Sequence, residues 1–233
     1  MRVYLVPLAS DRYELYCEAA HTPLEIDADV EGRGYWGGLL QRFHLMLDRI
    51  ERDYRRQPVP IPPDAGKLRR WRLSARRRLV RWLAEKVSEQ RVLWRLRGQQ
   101  EVTAVHPSDL DEAAAMEIIL RTLRQNVQRH GRWAVLYALA FIASGLVMFL
   151  PGPNLIAYYF AFLMVGHFLS RRGALDGLNT VNWRLESSQA LAELRRVAGL
   201  APCERRPHVQ DIASRLGLEH LPSFFERVAV TLP

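Results

Sequence analysis

The stretch MFLPGPNLIAYYF, Met148 to Phe160, decides how the rest of the chain is read. Apolar residues run into Pro151-Gly152-Pro153-Asn154, and apolar residues run out again. Pro151 ends one helix, Gly152 permits a tight reversal, and Pro153 suits the first turn of a second helix, where its missing N–H costs little. These four residues are therefore the turn of a helical hairpin. Its setting is either a membrane, with the turn at the far side, or the core of a soluble helical protein.

The arms on either side favour the membrane. Trp133–Leu150 is a run of 18 residues without a formal charge, and Leu155–Leu169 is one of 15 in which His167 is the single basic side chain. At about 1.5 Å per residue these span roughly 27 and 23 Å. A hydrocarbon core is about 30 Å thick. The shortfall makes an interfacial or re-entrant hairpin the favoured variant of insertion. Basic residues flank both open ends: Arg129, His130 and Arg132 before, Arg171 and Arg172 after. By the positive-inside bias both termini belong in the cytoplasm. Trp133, Tyr137, Tyr158 and Tyr159, together with Arg171 and Arg172, stand where interfacial anchors are expected. Ala140/Ser144 and Ala157/Ala161 repeat small residues at a spacing that lets two helices approach closely.

Charge is distributed unevenly outside the hairpin. The 233 residues carry a formal charge of +8, but residues 1–53 hold ten acids against six bases while residues 55–98 hold fourteen bases against three acids. The basic block contains the segment KLRRWRLSARRRLVRW, Lys67 to Trp82. On a helix its Leu and Trp residues share one sector, and Arg69, Arg70, Arg76, Arg77, Arg78 and Arg81 fill the remainder. With Trp71 and Trp82 inserted, such a helix lies on anionic headgroups. The competing readings are a packed cytosolic helix and, as the weakest, a phosphate-binding surface for nucleic acid. Nucleic acid is not an expected partner.

The remainder reads as follows. Val3–Val6 and Tyr13–Cys17 form a small β-hairpin, with Pro7 suggesting an edge position or a strand end. A helix begins near Trp36, and the prolines between Gln57 and Pro63 form a stiff linker. Gly98 stops the basic helix, and Glu101–His106 is a short β-like or irregular connection. Ser108–Glu112 caps a helix running towards Gly131. Two further helices are expected at about 184–198 and 207–229. The organisation is thus 1–56 (β-hairpin and helix), 57–66 (linker), 67–98 (basic helix), 99–132 (capped helix), 133–170 (membrane hairpin) and 171–233 (C-terminal cytosolic helices).

No chemistry-bearing constellation emerges. Cys17 and Cys203, the two cysteines, have neither zinc-ligand spacing nor a disulfide framework around them. His106 precedes Pro107 and a helix cap, and His208 and His220 lie far from any metal-ligand spacing. Neither a phosphate loop nor a dinucleotide fingerprint, a nucleophile elbow or a zinc-protease motif is present. Gly32–Gly38 makes a turn before a helix. No catalytic residue, metal or cofactor is expected, and the chain does not read as an enzyme. His167, inside an apolar run, is the candidate proton or ion relay, against the plainer reading of a histidine reaching headgroups.

Three stretches carry a resemblance: the opening RVYLVPL…DRYELYCE, the segment GYWGGLLQRF, and PGPNLIAYYFAFLMVGHFLSRRGALDGL. They resemble a family described as mitochondrial K+–H+ exchange-related, which has bacterial members. Its Pro-Asn-aromatic-Tyr stretch, followed by His and a small-residue Gly motif, is matched by Pro153, Asn154, Tyr158, Tyr159, His167 and Gly173. The resemblance implies an integral membrane protein linked to monovalent-cation homeostasis, though not a self-contained exchanger. Two spans without a buried carboxylate would need an oligomer or a membrane-protein partner to move an ion.

The expectation is a mainly α, integral membrane protein: a two-helix membrane hairpin with cytosolic helices and a small N-terminal β-hairpin. Its place is the bacterial inner membrane, or the mitochondrial inner membrane in a eukaryote; the lack of an Arg-rich leader before the first strand favours the former. Its expected role is accessory or regulatory in K+/H+ homeostasis. The alternatives are a membrane-surface scaffold recruiting a cytosolic partner, and a soluble helical protein with a buried apolar hairpin.

Overall fold

The computed structural model describes residues 1–9, 12–18, 92–145 and 155–230. They belong to one compact unit formed by Met1–Ala20 and Val92–Pro233. The expected turn at Pro151–Asn154, the helix from Trp36, the Gly32–Gly38 turn, the proline linker and the arginine-rich segment with Arg69, Arg70, Trp71, Arg76, Arg77, Arg78, Arg81 and Trp82 lie outside the described residues.

The first departure from expectation is a four-stranded sheet. Its strands are β1 (Arg2–Ala9), β2 (Arg12–Tyr16), β3 (Glu101–Pro107) and β4 (Asn182–Ser188), in the order β2-β1-β3-β4. β1 and β2 make the expected antiparallel hairpin. β1–β3 and β3–β4 are parallel pairs. Parallel neighbours require a crossover. Between β3 and β4 that crossover is the helical pair α1 (Glu112–Gly145) and α2 (Leu155–Asn179); after β4 come α3 (Gln189–Val197), α4 (Pro202–Leu216) and α5 (Leu221–Val230).

Strand periodicity builds two cores. Val3 and Leu5 of β1, with Val102 and Ala104 of β3, join Ala115, Ile119 and Leu123 of α1, Ala174 of α2 and the helical residues Val92, Leu93 and Leu96. On the other face Tyr4, Val6, Leu8 and Val105 meet Leu191, Leu194, Val209, Ile212, Leu221, Phe224 and Phe225 of α3–α5. A strand covered on both faces is apolar throughout rather than alternating, which is why RVYLVPL shows no polar face. Pro7 stands on this inner strand, not on an edge. It lies beyond the Arg2–Tyr4 segment that pairs with β3 and beside the register shift between Pro7 and Ala9, where a missing N–H is tolerated.

The fold class is corrected accordingly: the chain is an α/β protein. The expected irregular connection at 101–106 is the central strand β3, and residues 182–188, expected to begin a helix, are β4. α1 starts as anticipated, with the Asp111 carboxylate accepting from the Ala114 amide at 2.9 Å, but runs past Gly131 without a break. The single helix expected at 207–229 is two, because Gly217 takes a left-handed conformation and the Leu218 amide donates to the Ala213 carbonyl. Gly98, with φ of 68°, ends the helical segment 92–96 as expected.

The membrane-spanning expectation is also corrected. Among the described residues no helix is long and apolar enough to cross a membrane. α2 carries Arg171, Arg172 and Asp176 on its second half. The integral placement in a bacterial or mitochondrial inner membrane falls with the span.

Candidate functional site: the hairpin arm and its histidine pair

α1 and α2 are fastened at their base. Trp94 donates its indole N–H to the Ser170 hydroxyl at 2.8 Å and to the Gly166 carbonyl at 3.1 Å, and Ser170 in turn donates to Gly166. Gly173 is where the helical segment 92–96 comes closest: a Cβ there would overlap the Leu93 carbonyl. Gly177 sits against Leu96 and Leu123, and its carbonyl accepts from the Trp183 indole at 2.8 Å. The position matched to the family's glycine motif is thus a helix-contact residue.

Above this base the packing changes character. On α1, Val135 is 61% exposed, Leu139 59% and Ile142 68%, with Trp133, Leu136 and Phe141 also exposed. α2 contributes exposed Tyr159 and Phe168. Counted at 100° per residue, Ile142, Val135, Leu139 and Leu136 lie within roughly 120° of the helix circumference. This is a continuous apolar stripe. The small residue Ser144 is buried and donates its hydroxyl to the Phe141 carbonyl at 2.7 Å.

At the junction of base and arm, two histidines meet. His130 Nδ1 and His167 Nδ1 are 2.8 Å apart. That separation is a hydrogen bond in which one ring nitrogen donates and the other accepts. His167 also lies against Tyr137, at 5.3 Å between nearly parallel rings, and against Trp133 at 6.3 Å. Tyr137 continues the stack to Phe160. His130 is buried, and its pKa is lowered to about 3, chiefly by desolvation, then by His167 and by Arg129. Burial, with a smaller contribution from Tyr159, raises the Tyr137 phenol. His130 is therefore held neutral, while Arg129, Arg132, Arg171 and Arg172 are exposed around the pair.

The expected site residues are placed unevenly. His167 is brought together with Trp133 and Tyr137; Tyr159, Arg171 and Arg172 are exposed near the arm. Trp133 and Tyr137 stack on each other and on His167, so they are not solely anchors. The Tyr158 side chain lies outside the description. From sequence His130 is only a flanking base, and its pairing with His167 is a result of helix register. Among the described residues no three His, Cys, Asp or Glu side chains converge, and two nitrogens by themselves leave a tetrahedral ion half-coordinated. Elsewhere, His106 is buried in β3 with Nδ1 3.0 Å from the Pro107 carbonyl and Nε2 unpartnered. Arg205 forms a buried two-point ion pair with Glu226 and lies over the Phe225 ring, which ties α4 to α5. Comparison of the chain with protein-family models, curated proteins and solved structures finds no match.

Proposed function

We propose that the chain is a membrane-surface scaffold, in which the α/β body holds up the α1–α2 arm as a shallow docking element that does not cross the bilayer. The observation carrying this reading is the exposed apolar stripe of Val135, Leu136, Leu139 and Ile142. It contributes no burial to this chain's own core, and contiguous apolar surface of this kind is characteristic of an interaction site. Charge favours lipid as the docked surface. Between Glu117 and Asp176 the formally charged residues are Arg121, Arg124, Arg129, Arg132, Arg171 and Arg172, without one acid. An apolar stripe with arginines at its neck suits an anionic interface, where tails receive the former and headgroups the latter. A hairpin buried in the core fits less well, given the exposure of Val135, Leu139 and Ile142.

Flotation with vesicles tests the reading. The protein should rise with phosphatidylcholine vesicles containing anionic phosphatidylglycerol, less with phosphatidylcholine alone, and should be released by alkaline carbonate. Val135→Asp with Ile142→Asp should abolish flotation. Failure of the unaltered protein to float with either vesicle would sink the proposal. A place in ion homeostasis rests on the family resemblance alone.

A further inference from the structure

β4 is an edge strand of seven residues. The Asn182 amide donates to the Gln100 carbonyl, and the Ser188 carbonyl accepts from the Ser108 amide. Even-numbered residues therefore turn their backbone groups towards β3. By strand alternation the N–H and C=O groups of Trp183, Leu185 and Ser187 point the opposite way, to an edge that no strand among the described residues occupies. Such an edge is a template for pairing with another strand.

The sequence of β4 is complementary to itself in one antiparallel register. With Leu185 on a two-fold axis, Leu185 faces Leu185 of a second copy, and Trp183 faces Ser187. These are the residues whose backbone groups point outward, so every facing pair among them can exchange both hydrogen bonds. The intervening positions put Arg184 opposite Glu186, twice by symmetry, in the non-hydrogen-bonded sites where side chains approach most closely. Moving the axis to residue 184 would oppose arginine to arginine, and moving it to 186 would oppose glutamate to glutamate. The two faces agree with this register. Arg184 and Glu186 are largely exposed and already paired within the chain to Glu101 and Arg2, so the join extends each pair into an alternating line of four charges. On the opposite face Trp183 and Leu185, partly buried against the core, would meet their counterparts.

We propose that two copies of the chain join antiparallel through the outer edges of β4, with Leu185 on the two-fold axis, merging two four-stranded sheets into one. This goes beyond the lipid-docking reading and uses a different surface. Sedimentation equilibrium in mild detergent, which masks the apolar arm, should show a dimer. Arg184→Glu replaces two attractive pairs by two repulsive ones and should weaken the dimer by about tenfold or more; Arg184→Glu with Glu186→Arg should restore it. In a Cys203→Ser background, Leu185→Cys should form an interchain disulfide on oxidation, since facing Cα atoms at about 5.5 Å suit one. A monomer at all concentrations would overturn the proposal. So would a dimer that is indifferent to Arg184→Glu, or one dispersed instead by Ile142→Ser in the arm.

Discussion

The lower and upper halves of α1 use the same kinds of residue for opposite ends. Ala115, Ile119 and Leu123 have no exposed surface and close the core beneath the sheet, while Val135, Leu139 and Ile142, on the same unbroken helix, are mostly exposed. The boundary falls at His130, Gly131 and Arg132, beside the histidine pair. A helix that needed only to cover the sheet could have ended near there. Stability accounts for the lower apolar residues and not for the upper ones, so the two halves should respond differently to the same substitution. The largest difference is expected at Leu123. Leu123→Ala removes a fully buried side chain against Gly177 and should cost about 2–5 kcal/mol, seen as a lower denaturant midpoint. A cost below about 1 kcal/mol would break the contrast at its base.

Gly173→Ala sharpens the same contrast from the other helix. The added methyl meets the Leu93 backbone carbonyl, which cannot rotate aside as a side chain could. Segment 92–96 would have to back away from α2, straining the Trp94 hydrogen bonds to Gly166 and Ser170. A loss of about 1–3 kcal/mol is expected, measured by thermal unfolding. Gly199→Ala, where a Cβ meets nothing within 4 Å, is the control and should change little.

What could be read from the residues differs between these halves for a physical reason. The arm is legible because an uncharged run bounded by arginines is a local property, and so is the Asp111 cap. Where that arm sits is not local: the apolar runs are already shorter than a bilayer, and Asp176 on α2 belongs to the packed base. β4 was missed because NWRLESSQALAEL has good helix formers and no break before Ser188. Only pairing with β3 makes its first half a strand, so tertiary context overrides propensity there. The split at Gly217 is signalled by a glycine followed by Leu218 and Pro222, but a longer apolar pattern runs across it. His130 facing His167 depends on how two helices slide against each other, which side-chain packing sets.

The histidine pair at the boundary gives a pH test. His130 has a folded-state pKa of about 3 against an ordinary 6.5, so between those values the unfolded chain binds more protons. Its contribution is then fully present above about pH 6.5 and is lost as pH falls below it, at no more than about 1.4 kcal/mol per unit. From pH 7 to 5 the protein should lose about 1–2 kcal/mol of unfolding free energy beyond the loss in His130→Gln. Equal pH slopes for the two proteins would mean that His130 is not held neutral by burial.

The smallest stability effect is expected where the apolar residues are most conspicuous. Val135→Ser and Ile142→Ser remove methyl groups that are already in water, so each should alter unfolding free energy by less than about 0.5 kcal/mol. A slight gain is as consistent as a slight loss, since an exposed β-branched side chain adds little to a helix. The same two substitutions should reduce flotation with anionic vesicles, because there the side chains would be transferred out of water at about 25 cal/mol per Å². Stability and binding are thus decoupled in the upper half of α1 and coupled to the same residue types in the lower half. If Ile142→Ser instead cost as much as Leu123→Ala, the stripe would be buried by this chain in solution, and the distinction between base and arm would fail.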